Sequence, residues 1–166
     1  MNISKPIEIN YKWDLENFIK AFENAYNYEY KNSIRRYIGW LFIAMAQFGV
    51  VAALKGGSIG LLLLSTILIF YWYVAKKYLL KKRALKSFNN SQLKNSIIKL
   101  IASADGIEQN SNLISWDRIN GIVSVNDDIL LYINNKPYYI PSLAFDSLES
   151  RVEFKSLAKS KGKLYD

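Results

Sequence analysis

The 166-residue chain contains no cysteine and no histidine. Without cysteine it cannot form a disulfide bond. Without histidine it lacks the commonest general base, one partner of the Ser–His and Cys–His nucleophile pairs, and nearly all zinc sites. The sequence also lacks a glycine-rich phosphate loop with its Lys-Ser/Thr pair. We therefore expect no enzymatic activity, no metal and no other cofactor.

Two uncharged stretches dominate the first half of the chain. Tyr37–Leu54 lies between basic residues Arg36 and Lys55, and Gly56–Ala75 extends from Lys55 to the next lysine. At about 1.5 Å per helical residue, each stretch can cross a hydrocarbon core of about 30 Å. The pattern predicts a transmembrane helical hairpin over residues 34–80, with spans at about 37–54 and 58–76.

Basic residues flank this hairpin, and the formal net charge is +8. The turn between the spans holds only Lys55, so the positive-inside rule places both termini in the cytoplasm. Because the charge lies next to lipid, we expect a lipid bilayer rather than a nucleic acid as the partner. The basic residues before the first span and after the second, on the predicted cytoplasmic side, are Lys31, Arg35, Arg36, Lys76, Lys77, Lys81, Lys82, Arg83 and Lys86.

Aromatic residues accumulate at the same end of the two spans. Tyr37 and Trp40 open the first span, and Tyr71 and Trp72 close the second, so they are typical of an interfacial belt. The neighbouring lysines attract anionic lipid, by about 1 kcal/mol per residue near the surface. Two interpretations remain open, because the lysines either recognise a specific lipid or serve only as topology signals.

Small residues in the first span indicate how the two helices pack. Gly49, Ala53 and Gly57 stand four residues apart and form a ridge that permits close backbone approach.

One polar residue, Gln47, interrupts the first span, at about the depth of Ser65 and Thr66 in the second. We expect a hydrogen bond across the hairpin, worth about 0.6–2 kcal/mol. This role is structural, since two helices cannot enclose a transport pathway.

The remaining residues form short soluble segments on either side of the hairpin, and the predicted fold class is α+β. Residues 1–33 begin with an alternating strand, Ile7–Tyr11, and continue after Asp14 as an amphipathic helix with Asn24 on its polar face. This helix either packs on the soluble domain or lies on the bilayer surface. Residues 84–166 predict a series of short antiparallel strands and a last helix from about Ser147 to Ser160.

Polar side chains near the strand ends are interpreted as turn residues. Asp127-Asp128 has no further carboxylates nearby, so we assign the pair to a turn rather than to a metal or catalytic site. Asp105-Gly106 predicts a turn with a positive φ angle, and Asp146 with Glu149 predicts a capping box for the last helix.

Short motifs in the second half resemble those of the YcxB-like family of bacterial two-span membrane proteins. The motifs are Asp105-Gly106-Ile107, Ser115-Trp116-Asp117-Arg118-Ile119, and Tyr138-Tyr139-Ile140-Pro141 followed by Ala144-Phe145. The resemblance implies a pleckstrin-homology-like (PH-like) sheet capped by a helix, in a protein of the bacterial inner membrane. From the residues themselves, we expect Trp116 to anchor the core, Pro141 to end an edge strand and Phe145 to pack under the last helix.

Three functions are compatible with this pattern. The first is a membrane-anchored, cytoplasm-facing module that binds a protein or an inner-leaflet lipid. The second is an immunity protein against a membrane-active toxin, which needs no catalytic residues. The third is an accessory subunit of a membrane complex, bound through Gly49, Ala53 and Gly57.

Overall fold

The computed structural model describes residues 6–34, 36–57 and 59–165. They fall into two compact units. One unit, the β unit, comprises the chain up to Ala25 together with the chain from Ser91 onward, and the other, the hairpin unit, comprises residues 26–90. The division therefore lies inside the first helix, whereas the sequence predicted boundaries near residues 33 and 84.

The described residues contain five α-helices and eight strands. The helices are α1 Leu15–Asn32, α2 Arg36–Gly56, α3 Gly60–Phe70, α4 Lys76–Asn89 and α5 Leu148–Ser160. The strands are β1 Ile7–Lys12, β2 Ile97–Ala102, β3 Gly106–Gln109, β4 Asn112–Ser115, β5 Ile119–Val125, β6 Asp128–Ile133, β7 Lys136–Ile140 and β8 Leu164–Tyr165. Helices and antiparallel strands thus confirm the α+β class.

The β unit contains two four-stranded sheets, ordered β1-β2-β3-β4 and β7-β6-β5-β8. All pairs are antiparallel except β5 with β8, which is parallel. Strand β1 pairs with β2 along its whole length, from Ile7 opposite Ala102 to Lys12 opposite Ile97. The N-terminal strand therefore completes a sheet whose other strands follow the hairpin in the sequence.

Three of the connections between antiparallel strands are two-residue turns in the left-handed backbone region. They are Asn110-Ser111, Asn126-Asp127 and Asn134-Asn135, with φ between 49° and 69°. Asparagine tolerates this region better than most residues, and these turns match the right-handed twist of the paired strands.

Asp105-Gly106 does not form the predicted positive-φ turn. Gly106 lies in β3, where an added Cβ would collide with the backbone carbonyl of Ile114 in β4. Glycine is needed there for the close approach of two strands rather than for its conformational freedom.

The core of the β unit lies between its strands and α5. Ile119 and Ile140 are fully buried, Trp116 is buried, and the Trp116 Nε1–H donates to the Ser103 carbonyl at 3.0 Å. The Phe145 ring packs against Phe154 of α5, with centroids 5.6 Å apart. The family-motif residues therefore position the core, and Pro141 follows directly after edge strand β7.

The helix starts in the β unit are capped by side chains. Asp14 Oδ1 accepts a hydrogen bond from the Asn17 backbone N–H at 3.0 Å, at the predicted start of α1. Ser147 caps α5, because its Oγ accepts from the Ser150 N–H at 3.1 Å. The predicted pairing of Asp146 with Glu149 is wrong, since the residue directly before the helix is Ser147.

Candidate functional site

Helices α2 and α3 pack against each other, yet most of their large apolar side chains remain exposed. In the most apolar stretch of each helix, only 11% of Arg36–Gly56 and 6% of Gly60–Asn89 is buried inside the protein. Two helices, Arg36–Gly56 and the continuous helix Gly60–Asn89 that begins with α3, are long and apolar enough to cross a membrane. The large exposed apolar side chains of α2 and α3 include Trp40, Leu41, Phe48, Val51, Leu54, Leu63, Leu64, Ile67 and Phe70.

Two glycines of α2 form the contact inside the hairpin unit. An added Cβ on Gly49 would lie 2.9 Å from the Leu62 Cα atom, and one on Gly39 would collide with the Tyr73 ring. Glycine therefore lets the two helices approach closely. Because Gly49 is used within the hairpin, it is not free to bind a partner subunit, as the accessory-subunit hypothesis required.

The predicted small-residue ridge is shorter than expected. Ala53 is partly buried in α2, but Gly57 lies beyond the helix end. Gly57 adopts φ 66°, and its N–H donates to the Ala53 carbonyl at 3.1 Å. It therefore terminates the helix as a left-handed glycine rather than packing against α3.

The predicted hydrogen bond from Gln47 to the second span is absent from the described residues. The Ser65 hydroxyl contacts the Leu61 carbonyl at 2.9 Å, and the Thr66 hydroxyl donates to the Leu62 carbonyl at 2.8 Å. Both hydroxyls thus bond within their own helix. The Gln47 side chain is exposed on the surface of α2.

Cations and aromatic rings meet at the end of the hairpin where α2 begins. The Lys76 Nζ lies 3.6 Å from the Trp72 ring centroid, and the Arg36 guanidinium lies 4.8 Å from that of Tyr37. Arg36 also donates to the Tyr37 hydroxyl at 2.7 Å, and Lys77 lies over the Tyr26 ring at 5.6 Å. Cation–π contacts thus join Arg36 and Lys76 to aromatic residues predicted for a membrane interface, whereas Lys77 contacts Tyr26 of α1, which was not among them.

A π-helical segment, Tyr71–Ala75, joins α3 to α4 at this level. The Lys76 N–H donates to the Tyr71 carbonyl, five residues earlier. The segment carries Trp72 and Tyr73, which both face Gly39, and Trp72 also meets Phe42 edge-to-face at 5.7 Å. The apolar sequence of this segment does not predict a π-helical turn, because apolar residues are equally compatible with an α-helix and a π-helix.

Helix α4 carries the basic residues beyond the aromatic belt. The helix from Gly60 continues without interruption to Asn89, so about 45 Å of helix exceeds a hydrocarbon core of about 30 Å. The predicted span, which ends at about residue 76, covers only the first part of this helix, and the helix extends beyond it. Lys82, Arg83 and Lys86 line an open groove along α4 together with Leu79 and Leu85, and Lys81 is partly buried.

A polar cluster organises the β unit around one carboxylate. Asp128 accepts hydrogen bonds from the Tyr139 hydroxyl at 2.7 Å, the Ser142 N–H at 2.9 Å and the Asn24 side-chain amide at 3.2 Å. Burial raises the pKa of Tyr139, and the hydrogen bond to Asp128 raises it further. Tyr11 donates to the Tyr139 carbonyl at 2.7 Å, and burial raises the Tyr11 pKa.

No pattern in the sequence indicates this cluster. Asn24 was assigned to the solvent side of α1, but it is 8% exposed and is the buried residue of that helix. Leu15, which the spacing of apolar residues assigned to the apolar face of this amphipathic helix, is half exposed. The first part of α1 therefore joins the β unit through polar contacts, and the spacing of apolar residues could not indicate them.

Large apolar side chains are exposed on the outside of the β unit, and two of them form a patch on α5. Leu143 is 90% exposed, and Leu148 and Val152 are mostly exposed. Leu148 and Val152 stand four residues apart on α5, so they share one helix face.

Comparisons of the chain with protein-family models, with curated proteins and with solved structures find no match. The membership of the YcxB-like family and the PH-like fold thus remain predictions from the motifs. Among the described residues, no three His, Cys, Asp or Glu side chains are grouped so that they would hold a metal ion.

Proposed function

We propose that this chain is a membrane-anchored binding module of the bacterial inner membrane. The hairpin unit is the anchor, and the β unit is the part that meets a partner in the cytoplasm. The observation that carries the proposal is that the apolar surface of α2 and α3 is exposed, although the same chain packs a large apolar core in its β unit. Lipid is the solvent that accepts such a surface.

The charge distribution supports a cytoplasmic location for both termini. Basic residues stand at the aromatic end of the hairpin, and the turn region holds only Lys55. The proposed orientation can be tested in sealed inside-out vesicles. Added protease should cleave at the exposed Leu93–Asn95 turn in these vesicles and should leave right-side-out vesicles intact at that site.

Membrane insertion itself has a direct test. The full chain should stay in the membrane pellet after alkaline carbonate extraction and should need detergent to become soluble. A chain that is monomeric and dispersed in plain buffer would refute the anchor, and with it this proposal.

The exposed patch on the β unit favours a protein partner. Leu143, Leu148 and Val152 are exposed apolar side chains on a unit that buries a large apolar core. Such patches on soluble surfaces mark interaction sites. Pull-down of the full chain from mild detergent should lose its partner with the Leu148→Ser/Val152→Ser variant but keep it with Leu93→Ser, an exposed leucine elsewhere. Equal recovery with both variants would exclude this patch.

The basic groove on α4 favours an inner-leaflet lipid as a second candidate. Lys82, Arg83 and Lys86 offer cations next to apolar Leu79 and Leu85, which suits an anionic headgroup with its acyl chain. Native mass spectrometry of the full chain should show retention of phosphatidylglycerol over phosphatidylcholine. The triple Lys82→Gln/Arg83→Gln/Lys86→Gln variant should lose that preference, whereas Lys159→Gln should keep it. Equal retention of both lipids by the wild-type chain would refute specific recognition.

A further inference from the structure

One surface stripe of α2 has the spacing of a helix–helix seam. Its members are separated by four, three, four and three residues, which places them along one side of a helix. Gly39 and Gly49, which face the hairpin interior, lie on another side. The stripe consists of Trp40, Ala44, Gln47, Val51 and Leu54, of which all but the partly exposed Ala44 are exposed.

Gln47 stands midway along α2, in the centre of this stripe. Its carboxamide is exposed and has no hydrogen bond to any residue that the structure describes. If the span lies in lipid, as the proposed function states, neither water nor the hairpin satisfies this group. Unsatisfied polar groups are unfavourable in hydrocarbon and promote association between helices.

A second copy of this chain is well suited to satisfy Gln47. Copies inserted with the same topology present Gln47 at the same depth, because the residue has the same position in each. A carboxamide carries two donor hydrogens and one acceptor oxygen, so two of them can bond reciprocally across a two-fold axis. Ala44, one turn away, is small enough to allow the close approach that this pairing needs.

We propose that the Gln47 stripe of α2 is a homodimer interface within the membrane, with Gln47 of each copy bonded to Gln47 of the other. The heptad-like spacing favours a left-handed crossing of two parallel α2 helices. The glycine face of α2 remains packed on α3 in each copy, so dimerisation leaves the hairpin intact.

The lack of cysteine in the chain allows a sharp test of the seam. Single cysteines at Ala44, Val51 and Leu54 should give disulfide-linked dimers on mild oxidation in native membranes. Cysteines at Leu41 and Phe48, which are exposed on a different side of α2, should give much less. Similar yields at all five positions, a maximum at Leu41 or Phe48, or adducts only with another protein would each overturn the proposal.

A second measurement tests the role of Gln47 itself. Energy transfer between labelled copies in liposomes, measured over a range of lipid dilutions, should show roughly tenfold weaker association for Gln47→Leu. Gln47→Asn should retain more association, because it keeps the carboxamide, and Phe48→Leu should resemble wild type. Unchanged association of Gln47→Leu would refute the proposal.

Carbonate extraction of the same variants separates this inference from the anchor. Leucine favours insertion, so Gln47→Leu remains in the membrane pellet if the anchor is correct. Variants that are extracted into the supernatant contradict the proposed membrane anchor. Variants that stay in the pellet but give no seam-specific cross-links contradict the dimer alone.

Discussion

Asp128 allows a stringent test of the β unit, because one carboxylate accepts three hydrogen bonds. Its donors come from α1, from β7 and from the backbone just after β7. Removing the carboxylate in Asp128→Ala leaves Tyr139 and Asn24 without an acceptor, and these residues are only 3% and 8% exposed. At about 1–3 kcal/mol for each buried donor that loses its partner, we expect a loss of about 2–5 kcal/mol in the free energy of unfolding.

The neighbouring aspartate supplies a matched control. Asp127→Asn and Asp128→Asn make the same change one residue apart, and asparagine tolerates the φ of 69° at position 127. The Asp127 side chain is 78% exposed and lies 3.5 Å from Arg151, so its ion pair contributes about 0–1 kcal/mol. Asp128→Asn places its NH₂ group against one of these hydrogen-bond donors and should lower the free energy of unfolding by about 1–3 kcal/mol.

The assay must report on the β unit of the intact chain. Urea unfolding of the full chain in mild detergent, followed by hydrogen exchange of peptides that cover β6 and β7, measures local stability at these strands. Exchange should accelerate in Asp128→Asn and remain close to wild type in Asp127→Asn. If the two variants differ by less than about 0.5 kcal/mol, the Asp128 cluster does not hold the unit together in the way that the hydrogen bonds indicate.

Three further predictions concern packing and pH. Gly49→Ala should destabilise the hairpin by about 1–3 kcal/mol in steric-trapping measurements, because its Cβ meets the Leu62 backbone, whereas Gly60→Ala, with open space around it, should not. Trp116→Phe should lower the free energy of unfolding of the β unit by about 1–3 kcal/mol in urea unfolding, since the partly buried Ser103 carbonyl loses its donor; an unchanged midpoint would contradict this. Burial raises the pKa of Tyr11 and Tyr139 above 10. Above pH 10 the unfolded chain therefore releases protons that the folded β unit retains, so its stability should fall as pH rises, and less steeply in Tyr139→Phe.

Strand positions could be predicted from the sequence where alternation is clear. In β1, Ile7 and Ile9 are buried whereas Glu8 and Asn10 are exposed, so one face packs on the core as the alternation indicates. Asp14 marked the start of α1 because a cap is a local interaction. Asn24 and Asp128, in contrast, are more than 100 residues apart, and no local pattern indicates that they meet.

The second long helix extends past the predicted span because charge marks the edge of a membrane and not the end of a helix. Lysine and leucine are good helix formers, so the segment from Lys76 to Asn89 continues the helix in a polar setting. Asn90 follows with a non-helical backbone, and the extended β2 strand begins a few residues later. The helix end at Asn89 is set by local backbone propensity, whereas hydropathy indicates only which part of the helix can lie in lipid.

The side of α2 on which Gln47 lies follows from helix geometry. The predicted pairing with the second span considered only the depth of Gln47 in the membrane. Gln47 and Gly49 are two residues apart, and such residues do not face the same neighbour on an α-helix. If Gly49 packs on α3, Gln47 must point away from it, so depth alone was not enough to pair Gln47 with Ser65 or Thr66. The hairpin can satisfy its close-packing requirement through the glycine face, but it cannot satisfy the carboxamide on the other side. If lipid surrounds the hairpin, a helix from outside it, as proposed above, would satisfy this carboxamide.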